Sequence, residues 1–245
     1  MPAGRLTQNR AAYTLSSMNS YTQSAPVIAL DENSRGRFIA RAYNHLFGAI
    51  VAFVLIEVAL FKSGIAESIA SVLLGGSWLL VLGGFMVVSW VARSVAHKST
   101  SKAAHYAALA GYVVAQAIIF VPLLYIANHY APGAISSAAL ITFLGFVGLS
   151  LVAFMTRKDF SFLRGFLWWG FVVAMVLIVA AVLFGFQLGV FFDVALVGLA
   201  GAAILYDTSN ILHRYPEDRY VAAALELFAS VALMFWYVLR LTSRR

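Results

Sequence analysis

Seven apolar stretches, each close to the roughly 20 residues that cross a bilayer as an α-helix, constrain this chain more than any other feature. They run over about 38–61, 72–92, 104–127, 134–155, 166–186, 190–211 and 221–241 and take up most of the 245 residues. The chain is 62% hydrophobic and only 11% charged, where a soluble domain carries about a quarter charged residues. An all-α integral membrane protein follows, with residues 38–245 as one seven-helix transmembrane domain and no room for a second globular unit. Residues 1–37 are polar and rich in Ser, Thr, Asn and Gln. They lack the short apolar core and cleavage site of a secretion signal, so a mobile cytoplasmic tail is expected, with Met18 as an alternative start.

The net charge of +7 invites a nucleic-acid reading, but its distribution excludes one. Arg35, Arg37 and Arg41 precede the first stretch; Arg93, Lys98 and Lys102 fill the loop after the second. Arg157, Lys158 and Arg164 follow the fourth, and Arg214 and Arg219 the sixth. The intervening loops hold little Lys or Arg beyond Lys62. This alternation is the positive-inside pattern and places the N-terminus in the cytoplasm, with the lipid bilayer as the partner of the apolar surface. One feature strains the count: seven crossings put Arg240, Arg244 and Arg245 outside. Either the last helix crosses despite its basic tail or it re-enters, and the length of Val221–Leu239 favours crossing.

Catalytic chemistry finds little support, and no cofactor is implied. There is no cysteine, which removes thiol nucleophiles and cysteine-ligated metals. His45, His97, His105, His129 and His213 do not share helical turns as ligands would, and HExxH is absent. Four of the five lie in or beside loops, where a solvated imidazole is the plain reading. His45, inside the first stretch, is either an interfacial residue or a proton-responsive group facing a cavity. The segment Gly148–Leu151 offers a serine without a later intramembrane histidine to act as its base. Small-residue sets such as Gly83-Gly84, Gly145 with Gly148, and Gly198 with Gly201 read as close helix contacts.

The acids carry the functional signal. Asp31, Glu32, Asp159, Glu217 and Asp218 belong to the tail or loops, Glu57 is expected at the interface, and Asp193 suits a helix N-terminus. Asp207 and Glu226 differ, lying equally far on either side of the polar turn His213–Tyr220. A helical hairpin sets both carboxyl groups roughly 14 Å from the centre of that turn. Each costs on the order of 3 kcal/mol against lipid, so pairing or joint lining of a cavity is expected. The alternative satisfies each acid separately through Tyr206, Ser209, Ser230, Arg214 or Arg219. A pair forced together shares a proton, responds to pH and can coordinate a hard cation such as calcium transiently.

Three segments, AILYDTSNIL at Ala203–Leu212, TRKDFSFLRG at Thr156–Gly165 and the closing AALELFASVALMFWYVLRL, resemble the Bax inhibitor family, especially its bacterial YccA-like branch. The resemblance covers most of residues 35–241. It implies six helices wrapped around a central last one in the bacterial inner membrane. For some members it implies a pH-sensitive calcium leak gated by two aspartates. Asp207 falls on the first of these, while Ser230 stands at the second position and Glu226 lies one turn earlier on the same face. The sensor and cation pathway are therefore assigned to Asp207, Glu226 and Ser230, with Arg214, Arg219 and His45 as accessory residues. The YccA-like branch implies a second role, restraint of a membrane-bound AAA protease without ion conduction.

Overall fold

Eight helices account for most of the computed structural model, which describes residues 26–76 and 78–244, with the backbone alone at Trp78. They are α1 (Glu32–Lys62), α2 (Ile65–Gly75), α3 (Trp78–Lys98), α4 (Lys102–Tyr130), α5 (Ala134–Thr156), α6 (Leu163–Phe184), α7 (Val190–His213) and α8 (Tyr220–Thr242). All but α2 are long and apolar enough to cross a membrane. Met18 and the tail through residue 25 lie outside the described residues.

α1 starts where the Asp31 side chain accepts the Ser34 backbone N–H at 3.1 Å, satisfying one orphan donor of the first turn. Its buried residues Phe38, Ala42, Leu46, Ala49, Phe53 and Glu57 recur every three or four positions, which draws one stripe along the helix. Glu57 thus departs from the interfacial expectation: it continues the core-facing stripe and is buried. The second crossing also departs from 72–92. Residues 65–75 form α2, Gly76 is extended (φ −91°, ψ 178°), and α3 runs on to Lys98. Hydropathy cannot see this break, because both sides of it are apolar.

α8 is the axis of the bundle, with fifteen buried residues, and it packs against α1, α3, α4, α5 and α7. Its small residues, Ala222, Ala223, Ala224, Ala229 and Ala232, let neighbouring backbones approach where lipid gives no hydrophobic drive to association. Two glycines on other helices do the same. A methyl group added at Gly145 would come within 3.3 Å of Met234, and one at Gly201 within 3.3 Å of Leu149. Gly83, Gly84, Gly148 and Gly198 face open space instead, so the close-contact expectation holds for only part of that set. α6 is peripheral, leaning on α7 and touching α3; its buried Ala174 joins Leu196 and Tyr237.

The basic C-terminus is explained at the end of the bundle where α7 begins. α8 is one continuous helix to Thr242, without re-entry. Asp193, wholly buried in the first turn of α7, lies 3.4 Å from Arg240 Nε and 3.0 Å from Arg244 Nη2. Arg244 also donates to the Leu188 carbonyl at 2.8 Å. One buried carboxylate thus holds both arginines.

At the opposite end two restraints position the site. Ser209 Oγ accepts the Phe160 N–H at 2.9 Å and donates to the Lys158 carbonyl at 3.2 Å, fastening the 157–162 loop to α7. Within that loop Ser161 N–H donates to Asp159 at 2.8 Å. That bond holds the Asp159 carboxyl below the usual carboxylate range, with Arg214 and His213 adding to the effect. Ahead of α1, Val27 N–H donates to the Tyr215 carbonyl at 3.0 Å, and its fully buried side chain straps the chain to the turn between α7 and α8.

Candidate functional site

Asp207 and Glu226 project from α7 and α8 into one cavity of about 550 Å³, open at the Arg214–Arg219 end of the bundle. The Ser230 hydroxyl donates to Asp207 Oδ2 at 2.5 Å. Glu226, one turn before Ser230 on α8, turns instead towards α3. Its Oε2 lies 2.8 Å from Arg93 Nη1 and its Oε1 3.0 Å from His97 Nε2. The arrangement is joint lining of one cavity: among the described residues no hydrogen bond links the two carboxyl groups, and each has its own partners. Ser209, a candidate partner in the sequence, is taken up by the 157–162 loop.

Arg93 and His97 are the site residues that sequence reasoning missed, having been assigned to a loop. His97 is no freely solvated imidazole; it is bonded to Glu226. The available signal was their spacing. Residues four apart share one helix face, and the apolar pattern needed extension by only two turns to carry both. Arg219 reinforces the same contact, Nη1 donating to the carbonyls of Ala96 at 3.2 Å and His97 at 2.7 Å. A cation there satisfies orphan carbonyls at the end of α3 and complements its dipole. Arg214 lines the cavity mouth and is exposed.

His45 stands apart. It does not line the cavity; its Nε2 meets the Tyr106 hydroxyl at 2.8 Å and its Nδ1 the Arg41 carbonyl at 2.7 Å. The ring also lies 5.1 Å from that of Tyr220, tilted by 51°. These contacts place it at the junction of α1, α4 and α8, not in the accessory set around Asp207.

Three arginines, two carboxyl groups and one histidine line the cavity, so its formal charge with a neutral histidine is 3 − 2 = +1. Tyr215 reports the local field at the rim. Burial pushes its hydroxyl well above the ordinary phenol range, and the neighbouring Glu226 and Asp207 charges push the same way. Calcium takes six to eight oxygen ligands, whereas both Glu226 oxygens are occupied by cationic partners and Asp207 Oδ2 by Ser230. The described residues hold no cluster of three or more His, Cys, Asp or Glu able to cage a metal. Two carboxyl groups and Ser230 fit a cation only as passing cargo, and only after Arg93 has withdrawn.

The network ties α3, which otherwise packs mainly on α4, to the axis; Ala92 and Ala96 are its buried residues near the site. Breaking the Glu226 contacts would leave little apolar burial holding that end of α3.

Residues 35–245 match the family model described as inhibitor of apoptosis-promoting Bax1. The chain is 29% identical over 189 residues to the modulator of FtsH protease YccA of Escherichia coli, covering 75% of this chain and 83% of that protein. It is 31% identical over 141 residues to Bax inhibitor 1 of Schizosaccharomyces pombe, covering 56% and 48%. An uncharacterised Pseudomonas aeruginosa protein is 37% identical over 110 residues, covering 44% and 48%. The matched stretch thus spans about half the length of the fission-yeast and Pseudomonas relatives. With seven spans arranged on a central last helix, and a family match that extends from the start of α1 to the C-terminus, the chain belongs to the Bax inhibitor family.

Proposed function

We propose that this protein is a proton-sensitive passive leak for calcium or another cation, without catalytic activity. The cavity between α3, α7 and α8 is its entrance. The observation that carries the reading is the Glu226–Arg93–His97 clasp beside Asp207: ionisable groups at membrane depth hold a weakly buried helix across the cavity floor. Such groups by default mark an ion or proton pathway. With the clasp closed, Arg93 occupies the carboxylates and repels cations. With it open, Asp207, Glu226 and Ser230 become oxygen ligands along a path. The basic loops fit a cytoplasmic N-terminus and cavity mouth, and the Escherichia coli relative, also named an inner membrane protein, suits a bacterial inner-membrane location.

The test is calcium flux into vesicles containing the purified full chain, measured across pH beside Asp207→Asn. Flux that varies with pH and changes in the variant is expected; flux equal to that of empty vesicles at every pH would refute the leak.

A second reading has its own support. Similarity to a named modulator of FtsH protease extends over three quarters of the chain, and the strap at Val27 connects the tail to the cavity rim. On this reading the protein restrains a membrane-bound AAA protease without conducting ions. Copurification of such a protease, weakened by deleting residues 1–34, is the expected result; no association would count against it.

A further inference from the structure

Glu57 is a buried acid that neither the cavity network nor the Asp193 clamp uses. Only 6% of its surface is accessible, and neither carboxyl oxygen has a hydrogen-bond partner among the described residues. An isolated carboxylate in such surroundings is too costly to keep ionised, so the group holds its proton. A core-facing acid with no hydrogen-bond partner adds no stability to explain its presence, since an apolar residue would serve packing better.

Its position supplies the reason. α1, α4 and α8 are the first, third and seventh crossings and run in the same direction. Phe53 of α1 meets Phe120 of α4 edge-on at 5.3 Å and Phe228 of α8 at 6.2 Å. Phe228 in turn meets Tyr112, edge-on at 6.1 Å, and Tyr112 lies against Arg93. The cavity network therefore ends on an aromatic layer. Glu226 stands two residues before Phe228 and Glu57 four residues after Phe53, which separates the carboxyl levels by roughly 9 Å along the axis. The rings fill that gap.

We propose that Glu57 is a second cation-binding station on the far side of this layer, and that Phe53, Phe120 and Phe228 are the barrier between it and the cavity. The inference rests on the cation-passage reading above. When the rings part, an entering cation displaces the Glu57 proton to water and pairs with the carboxylate.

The full chain in lipid vesicles, treated with the apolar reagent dicyclohexylcarbodiimide, tests this. The reagent adds to a protonated carboxyl group, and the stable adduct is mapped by peptide mass spectrometry. Wild type, Phe120→Ala and the milder Phe53→Leu are compared with and without calcium; Phe53→Leu keeps the test intact if Phe120→Ala does not fold. The expected result is a Glu57 adduct in wild type that calcium does not suppress, and one suppressed several-fold by calcium in the barrier variants. No adduct at Glu57 in any protein, or adducts indifferent to calcium in every barrier variant that folds, would overturn it. If every protein shows that labelling pattern but no calcium flux, the station stands and the leak reading falls.

Discussion

Glu226→Gln removes the charge that holds α3 while keeping the side chain's size. The loss can be sized from the contacts. An ion pair with Arg93 at 2.8 Å and a hydrogen bond with His97 at 3.0 Å end on Glu226, and a hydrogen bond to a charged group contributes about 1.5–3 kcal/mol. The arginine and histidine side chains are 45% and 51% exposed, so water recovers much of that on release, and the figure falls to about 1–2 kcal/mol. Since 1.4 kcal/mol is a factor of ten, the population with α3 released rises by about 5- to 30-fold. Hydrogen exchange reads that population directly when opening is fast. Amides at the end of α3, from Arg93 to Lys98, should exchange faster by this factor in Glu226→Gln, while those in the middle of α8 should not. Unchanged exchange at the end of α3 would refute the idea that the clasp holds the helix.

Other consequences follow from the same contacts. His97→Ala removes the 3.0 Å contact with Glu226 Oε1 and should speed amide exchange at the end of α3 several-fold; exchange superimposable on wild type would contradict its role. Asp193→Asn leaves Arg240 and Arg244 without their anion. These arginines are 27% and 34% exposed, so the cost should be about 1–2 kcal/mol, short of that for breaking a fully buried pair, read as a lower Tm in detergent. Ser209→Ala removes both bonds fastening the 157–162 loop, about 1 kcal/mol each, and should speed exchange at the Phe160 amide with little effect at α8. Val27→Asp places a charge at a fully buried position and should release the strap, seen as new proteolytic cleavage near residues 26–30.

The seven spans and their approximate limits were legible because crossing a bilayer demands a long uninterrupted apolar helix, and 245 residues accommodate little else. The α2–α3 break was not legible, because Gly75-Gly76 interrupts an apolar run whose composition is the same on both sides. Asp207 and Glu226 were legible as acids at unusual depth, and the hairpin arithmetic brought them into one cavity. Their partners were read only in part. Ser230 stood a turn from Glu226 on the face that meets Asp207. Arg93 and His97 lie more than a hundred residues away, and only packing brings α3 beside α8. The extra turns that keep them helical were hidden because basic residues lower hydropathy at span ends. Glu57 was misjudged for a related reason: depth near a span's end suggests an interface, but the four-residue stripe from Phe38 onward turns its side chain inward. The Asp193 clamp could have been suspected, since two arginines at the end of an apolar helix call for a nearby anion.

The claim beneath the whole account is that Asp207 and Glu226 share one cavity closely enough for each carboxyl group to feel the other's charge. Infrared titration of the carboxyl stretching band measures this most directly, with wild type, Asp207→Asn and Glu226→Gln reconstituted in lipid. The account predicts that replacing either residue moves the midpoint at which the remaining carboxyl takes up its proton. If Asp207 titrates identically with and without the Glu226 charge, the two groups act independently and the proposed latch is contradicted.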